Sequence, residues 1–364
     1  MFQFDRAVLQ RKFTFLFWVT IVAIACSCSN QNAAIEDSEE NKDKENVIGT
    51  NNRLELIKKR GKLICGINNK IPGFSYLEKD GSYTGISIDL CKAIAVALFD
   101  NPNKVEFRHL NSEERFQAVE TGKVDILSRN TTWTFSRDSS GGLDFPPTTF
   151  YDGQSFLVKT NSEITNLEDL KSKTICVPVN TTSEDNLALQ MRKRDIPYSP
   201  QTFENTEELY SSYESGTCDA ATSDRSQLVA RRSAFSNPKA HRVLDEVISK
   251  EPLGPVIANG EPEWFDVVEW VSYATIKAEE LGINSQNINS FARTKNPEVK
   301  RFLGMEEDLG KSIGLSKDFA KKIVAEVGNY EEIYERNIGK PYKLERGVNN
   351  LIQNGGLIGS PPFR

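Results

Sequence analysis

The chain has 364 residues, 38% of them hydrophobic, and its 45 Lys and Arg stand against 51 Asp and Glu for a net charge of −6. That balance argues against a nucleic-acid surface, which needs a basic face to meet phosphate. Two histidines, His109 and His241, leave a His-based metal site or catalytic triad poorly supplied, and no cofactor is expected.

The first segment reads as an export signal: Arg6, Arg11 and Lys12 precede an apolar run from Phe13 to Ala25 that is short for a spanning helix. Both Ala23-Ile24-Ala25-Cys26 and Ala25-Cys26-Ser27-Cys28 resemble the box at which bacterial lipoproteins are cut and lipidated, so residues 1–28 are expected to be a lipoprotein-type signal with Cys26 or Cys28 as acceptor. An uncleaved anchor helix or an ordinary cleaved signal is the plainer alternative. Residues 29–52 carry Glu36, Asp37, Glu39, Glu40, Asp43 and Glu45 with few large apolar side chains, the composition of a solvated tether. What remains, roughly 300 residues, is more than one core usually organises, and two domains are expected.

From Arg53 the elements alternate. A helix over Arg53 to Arg60, a strand over Leu63 to Ile67 and the turn Lys79-Asp80-Gly81-Ser82 come first, followed by a helix from Ser87 to Leu98 and a strand from Lys104 to His109. A helix from Ser112 to Thr121 stops at Gly122 and leads into the apolar strand Val124 to Leu127. Such alternation predicts a parallel sheet covered by helices.

That last strand runs into Ser128-Arg129-Asn130-Thr131-Thr132-Trp133-Thr134-Phe135-Ser136-Arg137. Asn130, Thr131, Thr132 and Thr134 are poor core residues that both donate and accept hydrogen bonds, and Arg137 offers the planar fork that matches a carboxylate. Ligands of α/β sheets bind at the carboxyl ends of strands, where this cluster falls. The bland alternative is a polar strand-to-helix turn ending on a surface arginine.

The alternation restarts after Phe156-Leu157-Val158 with a strand at Thr174 to Val179 and a helix through Ala188 and Met191. A strand at Tyr198 to Phe203, a helix at Thr206 to Ser215 and a strand at Cys218 to Thr222 follow. Thr181-Thr182-Ser183 opens a helix there, as an anion site or a simple cap. Tyr151 to Phe156 and Val247 to Pro255 flank this unit as two crossings, which makes a hinge. The helix Trp264 to Leu281 returns to the first domain, and Asn284 to Arg364 reads as mostly helical. The expected division is 53–154 for the first part of lobe 1, 155–248 for lobe 2, and 249–364 for the return and a C-terminal helical extension.

Four cysteines lie beyond the signal, and three pairings are formally possible. Cys65 with Cys91 and Cys176 with Cys218 are preferred, because each pair stays within one lobe; buried thiols are the alternative.

Pro72-Gly73-Phe74-Ser75, Gly85-Ile86-Ser87-Ile88-Asp89-Leu90-Cys91, the stretch from Val124 to Asp138, Tyr151-Asp152-Gly153-Gln154, Ile248 to Pro255, Val327-Gly328-Asn329-Tyr330 and the closing Pro361-Pro362-Phe363-Arg364 occur in an order that resembles the bacterial family 3 extracellular solute-binding proteins. Among these the chain is similar to the general L-amino-acid-binding components of polar-amino-acid ABC transporters. The resemblance implies a periplasmic-binding-protein-like fold, type II, of two α/β lobes on a two-strand hinge. It also implies binding without catalysis, L-amino acids as ligands, a membrane permease as partner and a monomer. By the resemblance Arg137 takes the α-carboxylate, Asn130 and Thr132 assist it, Thr181 and Thr182 approach from the second lobe, Asp224 accepts the α-ammonium and Phe74 forms part of the wall. From the residues alone, Asp224 reads equally well as a helix cap and Phe74 as core. Arg129 departs from the small residue that many relatives carry, to contact an acidic ligand or to point outward, and Trp133 reads as packing. The rival readings are a periplasmic enzyme of the same fold, dehydratase-like, and an amino-acid sensor; neither histidine falls in the binding motifs, which counts against the enzyme.

Overall fold

The structure, a computed structural model, describes residues 52–364; the expected signal, Cys26 and Cys28, and the tether up to Asn51 lie outside the described residues. Helix α1 (Arg53–Arg60) starts on the Asn52 side chain, which accepts from Glu55 N–H, and stops at Gly61 in the left-handed region (φ 71°). Strand β1 (Leu63–Ile67) is buried along its whole length, as a central strand covered on both faces must be. The short strands β2 (Lys70–Ile71), β3 (Ser75–Leu77) and β4 (Tyr83–Thr84) form a small sheet of their own. Helix α2 (Ile86–Phe99), β5 (Val105–His109), α3 (Arg115–Glu120), β6 (Ile126–Thr132), α4 (Phe135–Ser139), β7 (Leu143–Asp144) and β8 (Phe150–Asp152) complete the first run.

The second run holds β9 (Gln154–Lys159), β10 (Thr174–Pro178), α5 (Thr182–Lys193), β11 (Ser199–Phe203), α6 (Thr206–Glu214), β12 (Ala220–Asp224), α7 (Arg225–Ser233) and β13 (His241–Val243). Strand β14 (Glu251–Ala258) returns to the first sheet, and α8 (Pro262–Glu280) lays Trp264, Val267, Val268, Val271 and Ala274 into its core.

The chain thus forms two α/β lobes. One sheet has the order β5-β1-β6-β14-β7 with β8 beside β14, and the other β11-β10-β12-β9-β13. Each is parallel only along one side, where β1 lies between β5 and β6 and β10 between β11 and β12. The expectation of simple parallel sheets is corrected at the crossings. Strand β14 runs antiparallel to β6, β7 and β8, and β9 antiparallel to β12 and β13, because a strand that arrives from the other sheet needs no crossover helix to reverse it.

The two crossings lie side by side, with Asp152 directly opposite Glu251. Between β8 and β9 sits Gly153, where a Cβ would stand 2.9 Å from the Ser249 carbonyl and collide with the Val247 side chain. Only a residue without a side chain lets the crossings approach this closely.

Disulfides join Cys65 to Cys91, tying β1 to α2, and Cys176 to Cys218, tying β10 to the approach of β12. The C-terminal part is less helical than its pattern predicts: α9 (Pro297–Phe302), α10 (Phe319–Glu326) and α11 (Tyr330–Tyr334) are short and joined by single helical turns. Gly304 and Gly328, at positive φ, follow α9 and α10, and the run that begins with α11 stops at Lys343 in the left-handed region. The end is nonetheless anchored, with Phe363 buried edge-on against Trp270 and Phe302.

Candidate ligand-binding site

Strand β6 does not stop at the apolar run. It continues through Ser128, Arg129, Asn130, Thr131 and Thr132, because β14 pairs with it there, Gly254 opposite Thr131 and Leu253 opposite Thr132. Thr131, read from sequence as a poor core residue, is fully buried at 0% exposure. Thr134 then caps α4 by accepting from Arg137 N–H at 3.4 Å, and the Arg137 guanidinium donates back to the Thr132 carbonyl at 2.8 Å. One turn of chain thereby fixes Arg137 beside the strand tip.

From the second sheet, β10 ends at Pro178 and the chain turns through Asn180, at φ 56°, into α5. Thr181 is the cap of that helix: its hydroxyl donates to the Pro178 carbonyl at 2.7 Å and accepts from Glu184 N–H. The hydroxyl is therefore committed within its own turn. Asp224 ends β12 in the N-cap place of α7 but caps nothing there; it is 3% exposed and accepts from Asn130 Nδ2 at 2.6 Å. The capping alternative for Asp224 is set aside, since its carboxylate faces across to β6. Asn130 Nδ2 also donates to Gln227 Oε1 at 3.2 Å.

Asn130, Thr132, Arg137, Thr181, Thr182 and Asp224 all line one cavity of about 280 Å³ between the strand tips of the two sheets. Phe74 does not: it is buried in the core and meets Phe150 edge-on at 5.1 Å. Trp133 lies outside, its ring parallel to that of Phe145.

Reading by sequence overlooked Glu251, Gln227 and Arg115. Glu251, at the start of β14, is buried and forms no ion pair among the described residues; it accepts from Thr132 Oγ1, from Ser249 Oγ, from Thr182 Oγ1 at 3.0 Å and from Asn186 Nδ2 at 2.8 Å. Donors from β6, from helix α5 and from a crossing thus converge on one carboxylate. Its signal in the sequence is a single acid among hinge residues, which by itself reads as surface. Arg115 and Gln227 carry no motif: Arg115 lies in the expected helix before Gly122, and Gln227 in α7, which the sequence reading did not identify.

The electrostatics follow from burial. Desolvation pushes the Asp224 carboxyl well above the usual range, the negative charges of Asp152 and Glu251 push it further, and the Asn130 hydrogen bond and Arg115 oppose the rise. Desolvation likewise raises Asp152 to about 6, against hydrogen bonds from Ser226 and Gly153. Arg137 is lowered by burial, with Glu251, Asp185 and Asp224 acting the other way. An acceptor and a forked donor thus share a small enclosed volume, an arrangement matched by a ligand carrying both a cation and an anion.

Comparison with known proteins agrees with that chemistry. Residues 63–339 match the bacterial extracellular solute-binding proteins, family 3. The chain is 43% identical over 315 residues to the general L-amino acid-binding periplasmic protein AapJ of Rhizobium johnstonii, a match covering 85% of this chain and 92% of that one. It is also 43% identical over 314 residues to the glutamate/glutamine/aspartate/asparagine-binding protein BztA of Rhodobacter capsulatus, covering 85% of this chain and 93% of that one. A solved periplasmic binding protein from Brucella ovis with glutathione bound superposes at a TM-score of 0.83 with 44% identity, covering 85% of this chain and 99% of that chain. With its two α/β lobes on two crossings and a cavity between the strand tips, this chain belongs to the family 3 bacterial extracellular solute-binding proteins.

Proposed function

We propose that the protein captures L-amino acids of fairly broad side chain and delivers them, by lobe closure, to the membrane permease of an ABC transporter. The observation that carries this reading is that Arg137 from the β6 side and buried Asp224 from β12 line the same cavity. Burying a zwitterion is costly unless both charges are met, and these two groups meet both. In this reading Arg137 takes the α-carboxylate and Asp224 the α-ammonium, with Asn130 and Thr132 beside the head group. Thr182 and the turn of Thr181 close over it from the second lobe. Phe74 acts one layer back, supporting the wall through Phe150.

The cavity lining is mostly polar, so side chains of different shape keep their hydrogen bonds or bridging water. The relative named for general L-amino acid binding supports the same breadth. Segments 53–154 with 249–364, and 155–248, are proposed as the two bodies that close, hinged at Gly153 and the start of β14. The protein is placed in this reading in the periplasm as a monomer, held to the membrane by lipid on Cys26 or Cys28, and it binds its ligand without transforming it.

Calorimetric titration with each of the twenty L-amino acids tests the function. Several are expected to bind saturably and to be recovered unchanged, and Arg137→Ala or Asp224→Ala is expected to cost about 3 kcal/mol, a hundredfold or more in affinity. Undiminished binding by the Arg137→Ala protein overturns the assigned site, and turnover of any ligand overturns the reading of binding alone.

A further inference from the structure

Glu251 is not among the residues that line the cavity, yet two that do line it are bonded to its carboxylate. One carboxylate oxygen accepts from Thr132 Oγ1, at the tip of β6, and from Thr182 Oγ1, in the first turn of α5, at 3.0 Å. The other accepts from Asn186 Nδ2, one helical turn further along α5, at 2.8 Å, and from Ser249 Oγ on the crossing itself. A carboxylate only accepts, so all four groups give it their hydrogens, and the two threonine hydroxyls stand 3.2 Å apart across the cleft. Thr132 belongs to the first sheet, whereas α5 follows β10 of the second. Glu251 is thus a bridge between the lobes. Asp152, opposite it on the first crossing, accepts from Ser226 N–H at 3.1 Å and from Gly153 N–H at 2.8 Å, so its donors come from the second lobe and the crossing alone. Other hydrogen bonds between the lobes border the cavity, as Asn130 to Asp224 does, or lie exposed, as Asn180 Nδ2 to Glu113 at 3.1 Å does. Glu251 is 2% exposed, and a hinge with no use for its charge would carry a neutral side chain, because burying a carboxylate is costly even when its lone pairs are met.

Resting on the reading above that the lobes close on an amino acid, we propose that Glu251 is a positioning residue that latches the closed arrangement, so that a share of the affinity comes from bonds the ligand never touches. Opening the cleft separates Thr132 from Thr182 and Asn186, and Glu251 can follow only one side. Strand β14 pairs with β6 at this point, Leu253 opposite Thr132, so Glu251 stays with the first lobe and the bonds that break are those to α5. These bonds form after capture, and the latch therefore acts on release rather than on arrival. Charge-assisted hydrogen bonds are about twice as strong as neutral ones, which favours a carboxylate at this place over an amide. An amide also has one accepting oxygen instead of two and turns a donor towards groups that already donate. Since the latch reads no part of the ligand, its contribution is the same for every amino acid captured, which suits a cavity that takes side chains of different shape.

Stopped-flow measurement of association and dissociation, paired with small-angle scattering of the full-length chain, tests this with L-glutamine and L-leucine as probes. Glu251→Gln is expected to raise the dissociation rate about tenfold and Asn186→Ala about threefold or more, by the same factor for both probes, with association within about twofold of the unaltered protein. Adding Asn186→Ala to Glu251→Gln is expected to change little further, because both remove the same link; two independent losses of stability would instead add. Asn186 is only half-buried and does not line the cavity, so its replacement decides the matter even where Glu251→Gln fails to fold. Dissociation from the Asn186→Ala protein within about twofold of the unaltered rate, or an effect confined to association, overturns the latch; if the unaltered protein still compacts when a probe is added, the closure reading stands. Binding without compaction overturns closure and latch together, and absence of binding by either probe overturns the broad amino-acid reading on which both rest.

Discussion

Asp224 concentrates the physics of the site at one residue. Burial and the nearby Asp152 and Glu251 hold its carboxyl protonated further up the pH scale than an exposed aspartate, yet the proposed ligand ammonium needs it ionised. The sign follows by linkage: in the unliganded protein the raised group binds its proton more tightly than in the unfolded chain, so its contribution to stability falls as pH rises between the two values. Ligand binding runs the other way, because the ammonium must displace that proton. Amino-acid affinity is therefore expected to weaken as pH is lowered, with up to one proton released per ligand bound where Asp224 is protonated in the unliganded protein. Calorimetry in buffers of different ionisation enthalpy reads the proton release, and a pH-independent affinity in the parent protein would rule out the titration assigned to Asp224.

At the scale of elements, the two crossings decide how the lobes relate. Gly153 lets β8 and β9 pass against the second crossing, and a methyl group there meets the Val247 side chain and the Ser249 carbonyl. Gly153→Ala is expected to lower the unfolding free energy by about 1–3 kcal/mol through that overlap, measured by urea denaturation. It is also expected to weaken ligand binding, since Gln154 N–H next to it donates to Ser249 Oγ at 3.1 Å, and Ser249 donates in turn to Glu251. A variant as stable as the parent and with the same affinity would show that the crossings accommodate the methyl group without moving. The helical elements were legible by pattern: α1 and α2 fall within a residue or two of their expected bounds, because apolar spacing, Gly61 and the αL stop at Asp100 are local signals. The antiparallel returns of β9 and β14 were not, since strand direction is settled by where the chain comes from.

For the whole molecule, each lobe carries its own covalent cross-link. The Cys65–Cys91 and Cys176–Cys218 bonds close loops of 26 and 42 residues, and the chain-entropy account gives roughly 3.5–4 kcal/mol for each. Cys176→Ser with Cys218→Ser is expected to lower the thermal midpoint by several degrees while leaving the cavity residues in place, so scanning calorimetry should record a fall in stability and titration an almost unchanged affinity. An unchanged midpoint would mean that packing alone holds β10 to β12. The sequence by itself determined the alternation of elements, the polar strand tip from Arg129 to Arg137 and, through the order of its motifs, the family. Those properties rest on neighbours in the chain, where turns, caps and periodicity act. Only the tertiary structure decided that Asn130 meets Asp224 across 94 positions, that Phe74 packs on Phe150 in the core, that Glu251 gathers donors from β6 and α5, and that Arg115 and Arg129 are buried with no ion pair among the described residues. Burial and partnership are properties of residues distant in sequence, and no local pattern encodes which of them will share a cavity.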